Sequence, residues 1–431
     1  MQLQRIELFN TKKEFLAFLG ICLFILFYAL LIEYNNYKNL TRFDSALVDA
    51  EVVKQYTKTK QTKQTKNSKS KKYQVLKLKS DQGFYFYTSV NKNFPNVKNK
   101  KLKLEIFAGE INFYEYMTYF YAYSKVLNID KHISLRESLN TYIAQLHKDK
   151  NIASIYQALY TATPLPTDLQ KIFSNLGVSY LLAISGFHLG VLAAVLFFLF
   201  KFPYKFLQQK YFPYRSYKVD SFIFISITLL VYLLFLDSPP SLLRAYAMLI
   251  IGFFLYDRGY KIISMQTLLL TVILLLCIFP RLFFSIGFWL SVSGVFYIFL
   301  FLIHFKHINK VWQFTLIPFW VYLTMLPFSL VLFGNFSLYH PLSILWTTLF
   351  TLFYPLSILI HIIGLGDIFD SMLTSFLTLS EVGYIVNISF IYLILHILFS
   401  FASVFKKYIL FVLFLESISL FLYLFISKAA L

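Results

Sequence analysis
The chain has 431 residues, of which 58% are hydrophobic, 20% aromatic and only 14% charged; this is too apolar for a soluble globular protein of that length and marks a polytopic membrane protein. A formal net charge of +19 must then sit in the few polar segments, which favour anionic partners: nucleic acid, acidic headgroups or the membrane surface. The two cysteines, Cys22 and Cys277, lie in separate apolar runs and are expected to fill space without forming a disulfide or a metal site together.

Residues 15–32, FLAFLGICLFILFYALLI, form the first candidate span, and with the residues ahead of it they make an anchor over 1–33. No small-residue cleavage site follows, so an uncleaved anchor is expected. Arg5, Lys12 and Lys13 precede it and place the N-terminus in the cytoplasm, so the region from 33 to about 176 is expected outside. Within it, residues 43–56, 72–80, 82–90 and 101–108 alternate apolar and polar side chains, the period of half-buried strands, and define a small all-β module within 34–110.

Between the first two strands lies KTKQTKQTKNSKSKK, residues 58–72, which has nothing to bury and is expected to be a mobile hairpin loop. Its Lys58, Lys60, Lys63, Lys66, Lys69, Lys71 and Lys72 form a basic cluster fit to attract phosphates, with a solvated hairpin or an anionic-lipid contact as the plainer readings. From 111 to 176 the pattern reads as amphipathic, interfacial helices, one opening on a capping box of Ser134 and Glu137.

Residues 177–431 read as a multi-helix transmembrane domain, with apolar runs near 179–200, 222–236, 242–256, 262–279, 283–303, 314–333, 341–363, 385–405 and 408–427. The basic stretches at 201–218, 257–261 and 304–310 all fall on the cytoplasmic side in one orientation. Residues 364–383 read equally as a loop, a re-entrant segment or an interfacial helix.

Three features carry chemistry. Ser185, Gly186 and His188 sit together near the start of an apolar run. A nucleophile with its base, a hydrogen-bond node lining a polar path, and a small-residue helix contact all fit that spacing. The DSPPS stretch at 237–241 breaks two short spans, either as a pore wall or as a plain turn. Arg244 then opens an apolar helix, either facing a cavity where it can grip phosphate or snorkelling to the headgroups. There is no phosphate-binding GxxxxGK[ST] loop and no HExxH, and His304 and His307 fall in a basic loop where they are expected to be solvated. No cofactor, no metal and no enzymatic activity are therefore expected.

LGVSYLLAISGFHLGVL (176–192), SPPSLLRAYAML (238–249) with DRG after it, and FFSIGFWLSVSGVFYIF (283–299) resemble, in order and spacing, the competence domain of the ComEC family, the inner-membrane conduit that admits single-stranded DNA in natural transformation. IASIYQALYTAT (152–163) is similar to the approach to that domain, and the β module is similar in place to the family's OB-like domain.

The resemblance implies a polytopic α-helical membrane protein with a small extracytoplasmic all-β, OB-like domain and interfacial helices. It implies a DNA path along Ser185, Gly186, His188, Ser238, Ser241, Arg244 and Arg258. Its partners would be single-stranded DNA, membrane lipid, a periplasmic DNA receptor, a separate nuclease and a cytoplasmic motor or single-strand-binding protein. The family often has a histidine where Tyr180 stands, its asparagine and proline pattern is not evident after 340, and no metallo-β-lactamase-like domain follows before Leu431. Two readings compete with the conduit: an intramembrane hydrolase using Ser185 and His188, and a small-molecule or lipid transporter, for which no inverted repeat is evident.

Overall fold
The structure, a computed structural model, describes residues 8–9, 11–60, 71–130, 134–182, 184–379 and 383–429. It divides into two compact units, one of residues 17–145 with 276–284, the other of residues 1–16, 146–275 and 285–431.

The first unit begins in helix α1 (Lys12–Leu40), whose apolar middle is long enough to cross a bilayer. A six-stranded sheet follows: β1 (Ala46–Lys60), β2 (Lys71–Ser80), β3 (Tyr85–Val90) and β4 (Lys101–Phe107), then helix α2 (Phe113–Met117), β5 (Phe120–Tyr121) and β6 (Tyr123–Ile129). Helix α3 (Leu135–Leu146) closes it. The strand order is β5-β3-β2-β1-β4-β6, with only the β3–β5 pair parallel. Period-2 alternation sends Ala50, Val52, Leu76, Leu78, Phe86, Leu102 and Leu104 into one core, where they meet Leu40, Tyr116 and Met117. Arg281 adds a two-pronged ion pair to Glu33, at 2.8 and 2.7 Å, with its guanidinium 4.6 Å from the Tyr116 ring centre. Burial pushes the Tyr116 hydroxyl pKa up to about 12 against the opposing pull of Arg281.

Two expectations change in this unit. The stretch 120–129 is strand, not helix: Tyr121 and Tyr123 point outward while Phe120 and Ala122 are buried, so side-chain direction alternates although all four of these residues are apolar or aromatic. The expected loop at 58–72 is partly strand, since Lys58, Thr59 and Lys60 pair with Tyr73, Lys72 and Lys71. Alternating threonines favour extended backbone, and a paired ladder satisfies its polar groups without burial. Lys63, Lys66 and Lys69 lie outside the described residues. Cys22 and Cys277, expected to fill space, are both buried and not joined by a disulfide, and their thiols come within hydrogen-bonding reach of each other although 255 positions separate them in sequence.

The second unit is helical: α4 (Lys150–Thr161), α5 (Thr167–Asn175), α6 (Ser179–Leu182), α7 (Gly186–Tyr211), α8 (Tyr217–Phe235), α9 (Pro240–Asp257), α10 (Met265–Ile278), α11 (Ile286–His304) and α12 (Lys310–Phe333). A two-residue strand β7 (Asn335–Phe336) precedes α13 (Ser343–Ile363) and α14 (Asp370–Thr378), and pairs with β8 (Tyr384–Ile385) ahead of α15 (Phe390–Ser403) and α16 (Lys407–Ala429). Among the described residues of the whole chain, eight helices are long and apolar enough to cross a membrane. The two further spans expected at 262–279 and 385–405 are the 14-residue helices α10 and α15, roughly 21 Å long against about 30 Å of hydrocarbon.

The run 179–200 is not one helix: α6 ends at Leu182 and α7 starts at Gly186, because Ser185 takes an extended conformation ahead of it. His304 is half-buried at the end of α11, bonded to the Ser403 carbonyl at 2.9 Å, so it is a helix-packing residue and not a solvated loop residue.

Candidate functional site
The break between α6 and α7 explains the Ser-Gly-Phe-His stretch locally. Ser185 is the residue before the first turn of α7, and His188 is the third residue of that turn, a spacing at which a side chain reaches back to the orphan backbone donor. The Ser185 backbone N–H donates to His188 Nδ1 at 3.1 Å, and the Ser185 hydroxyl lies 3.0 Å from the same nitrogen. Nε2 faces the Leu181 carbonyl at 2.9 Å, which can only accept, so the proton sits on Nε2 and Nδ1 offers a lone pair. The ring is fully buried, edge-on to Phe350 and Tyr354. The imidazole therefore fastens the helix start, and the lone pair a general base would need is already shared with Ser185's own amide.

Helix α9 packs on this corner. A Cβ at Gly186 would stand 2.8 Å from the Ala245 Cβ and 2.9 Å from Arg244 Nη2, so only glycine permits the approach. The Ser241 hydroxyl donates to the Ile184 carbonyl at 3.0 Å. Arg244 is 4% exposed; its Nε donates to Ser291 Oγ on α11 at 2.9 Å, and Nη1 lies 2.9 Å from the Met248 sulfur. Among the described residues no carboxylate comes within ion-pair distance of it. A buried guanidinium held by a serine and a thioether, with no carboxylate beside it among the described residues, keeps an unneutralised positive charge inside helices that span a membrane.

The structure thus brings Ser185, Gly186 and His188 together with Ser241 and Arg244. Ser238 lies just before α9, in a turn where it and Asp237 both adopt left-handed backbone, at φ +52° and +60°. Arg258 is not part of the group: it caps the far end of α9, roughly 21 Å along the axis from Arg244, exposed and resting on the Phe254 ring. Tyr180, where a histidine was anticipated, binds α6 to α13 through the Ser343 carbonyl and the Thr347 hydroxyl. Among the described residues no group of three or more His, Cys, Asp or Glu side chains could hold a metal ion.

A second feature belongs to the sheet unit alone. Strand register lines up Lys54, Lys77, Tyr87 and Tyr121 across β1, β2, β3 and β5 on the face away from the core. The Lys77 ammonium lies 5.3 Å from the Tyr85 ring and 5.8 Å from the Tyr87 ring, and Lys54 and Lys58 each approach Tyr56 at 5.7 Å. Burial pulls the Lys77 pKa below the ordinary lysine value. Tyr119 and Tyr121, 64% and 49% exposed, extend the aromatic surface. None of Lys54, Lys77, Tyr87 or Tyr121 stood out in the sequence, because the row is made by register between strands and no short motif encodes it.

The sequence model of the Competence protein family matches residues 162–429, from the end of α4 through α16 and including the stretch after 340; the six-stranded sheet, with α1, α2 and α3, lies outside the match. No curated protein and no solved structure matches the chain.

Proposed function
Because the chain belongs to the Competence protein family, we propose that this multi-pass membrane protein of DNA uptake is the conduit through which single-stranded DNA crosses into the cytoplasm. The observation that carries the reading is Arg244. A single strand brings one phosphate charge per nucleotide into a medium of low dielectric, and the path must meet it with positive charge that no protein carboxylate has already cancelled. Arg244 has that property, at a place where Gly186 lets two helices approach closely and Ser185, Ser241 and Ser291 supply small hydroxyls.

The sheet unit fits the capture step. Exposed tyrosines beside lysines offer base stacking and backbone attraction that tolerate any sequence, as a single strand of arbitrary sequence requires. Its OB-like character, drawn from the family resemblance, and its place outside the inner membrane with a cytoplasmic N-terminus, drawn from the basic-loop pattern, are parts of the same proposal. So are Ser238 and Arg258 on the path, the basic residues of 58–72 as an attracting patch, and the receptor, nuclease and motor as partners. The hydrolase reading has one observation in its favour, the 3.0 Å between Ser185 Oγ and His188 Nδ1. Labelling of Ser185 by a serine-directed probe would bring it forward.

The test is entry of end-labelled DNA in cells carrying wild type or Arg244→Gln at equal membrane levels, scoring cytoplasmic DNA apart from DNA held outside. Loss of a charge-assisted contact predicts a fall in entry of at least about tenfold. Unchanged entry removes Arg244 from the path and the conduit reading with it.

A further inference from the structure
Helix α16 carries one acidic residue, Glu416, tenth of its 23 residues and flanked on both sides by apolar runs. A carboxylate at that depth demands a partner, and the partner is His396 of α15, which is fully buried. His396 Nδ1 lies 2.7 Å from Glu416 Oε2, while Nε2 lies 3.0 Å from both the Thr324 carbonyl of α12 and the Tyr297 hydroxyl of α11.

The hydrogens of this cluster can be assigned one by one from what each atom is able to do. The Ser400 hydroxyl donates to the His396 carbonyl at 2.7 Å, so Ser400 Oγ can only accept from Tyr297, 2.8 Å away. The Tyr297 hydrogen is thereby used, and its oxygen must accept from His396. The Thr324 carbonyl requires the same, so Nε2 carries a hydrogen on two independent grounds. Nδ1 and Glu416 Oε2 then face each other at 2.7 Å, and without a proton between them a nitrogen lone pair would oppose a carboxylate. The pair holds one proton beyond those of a neutral imidazole and an ionised carboxylate.

We propose that Glu416 and His396 form a binding site for a single proton within the membrane-spanning helices, and that release of the proton drives α16 away from α15. With the proton bound, the pair is an imidazolium with a carboxylate or an imidazole with a carboxylic acid, overall neutral in both forms. When the proton leaves to water, the remaining negative charge faces a lone pair at hydrogen-bonding distance, and the contact becomes repulsive. Glu416, with its side chain 20% exposed, is the more accessible side of the pair; His396 has no exposed surface. Among the described residues, the titratable groups facing the pair are Tyr297 of α11 and Tyr392 of α15, the latter hydrogen-bonded to Glu416. This inference is independent of what the conduit carries.

The experiment uses the full chain in lipid nanodiscs. Proton release is counted between mildly acidic and mildly alkaline buffer for wild type and Glu416→Gln, and the infrared difference spectrum is recorded over the same range. Wild type is expected to release one more proton per chain, with a carboxyl band that changes and disappears in the variant, and with faster backbone hydrogen exchange in α16 on the alkaline side. Equal proton release, or a carboxylate band that is present but constant, makes the pair a fixed structural ion pair and overturns the site. Should the variant fail to fold, nitrogen NMR of isotopically labelled histidine in the wild type decides alone, since a His396 signal that never changes with pH has the same meaning.

Discussion

Gly186 and Gly190 sit one turn apart in α7 and test how tightly the α7–α9 corner is built. A methyl group at 186 would overlap Ala245 and the Arg244 guanidinium, whereas nothing lies within 4 Å of one at 190. Gly186→Ala is therefore expected to cost about 1–3 kcal/mol through overpacking, and Gly190→Ala to be neutral or stabilising by up to about 1 kcal/mol from helix propensity. Thermal unfolding of both variants in the same detergent checks this, and equal melting temperatures would mean that the corner yields. The same corner shows why His188 was ambiguous in sequence: three positions separate residues on one helix face and also an N-cap from the side chain that fastens it. Only the extended backbone at Ser185 decides between the two, and no residue type there demands it.

At the scale of elements, strands with one buried and one exposed face were legible, since 46–56, 72–80, 85–90 and 101–107 carry the polar–apolar alternation that burial imposes. Strand 123–129 was not, because Tyr counts as apolar in a binary pattern while its hydroxyl suits an exposed position; the alternation of Phe120, Tyr121, Ala122 and Tyr123 is one of buried ring, exposed ring, buried methyl, exposed ring. Contacts far apart in sequence stayed hidden for another reason. Glu33 and Arg281 each look like charges at the edge of an apolar run, and nothing local pairs them across 248 positions. With the two side chains only 17% and 18% exposed, Glu33→Gln leaves a guanidinium without its counter-charge, and a cost of about 3 kcal/mol is expected. Replacing both, as Glu33→Gln with Arg281→Met, should recover most of the loss in melting temperature. A double variant no better than the single one would show that the pair contributes packing, not charge balance.

For the molecule as a whole, the cations of the sheet face and the cation inside the helices stand in two physical situations. Lysines on the sheet face are only partly buried and are screened by salt; Arg244 is enclosed and is not. Capture of single-stranded DNA and its passage should accordingly depend on ionic strength in different ways. If the sheet face captures the strand, affinity of the full chain in nanodiscs falls as salt rises, and Lys77→Ala lowers the slope of log affinity against log salt by about 0.7, the contribution of one phosphate contact on a single strand. Tyr87→Ala or Tyr121→Ala should weaken binding by about 1–3 kcal/mol at every salt concentration and leave the slope alone, because stacking releases no counterion. Arg244→Gln should change neither quantity, since capture does not require the strand to enter the helices. Titration of a labelled oligonucleotide across a salt series separates the three classes. A slope unmoved by Lys77→Ala together with an affinity unmoved by Tyr87→Ala would take DNA off this face, and a slope lowered by Arg244→Gln would mean that the strand already reaches the buried cation when it is captured.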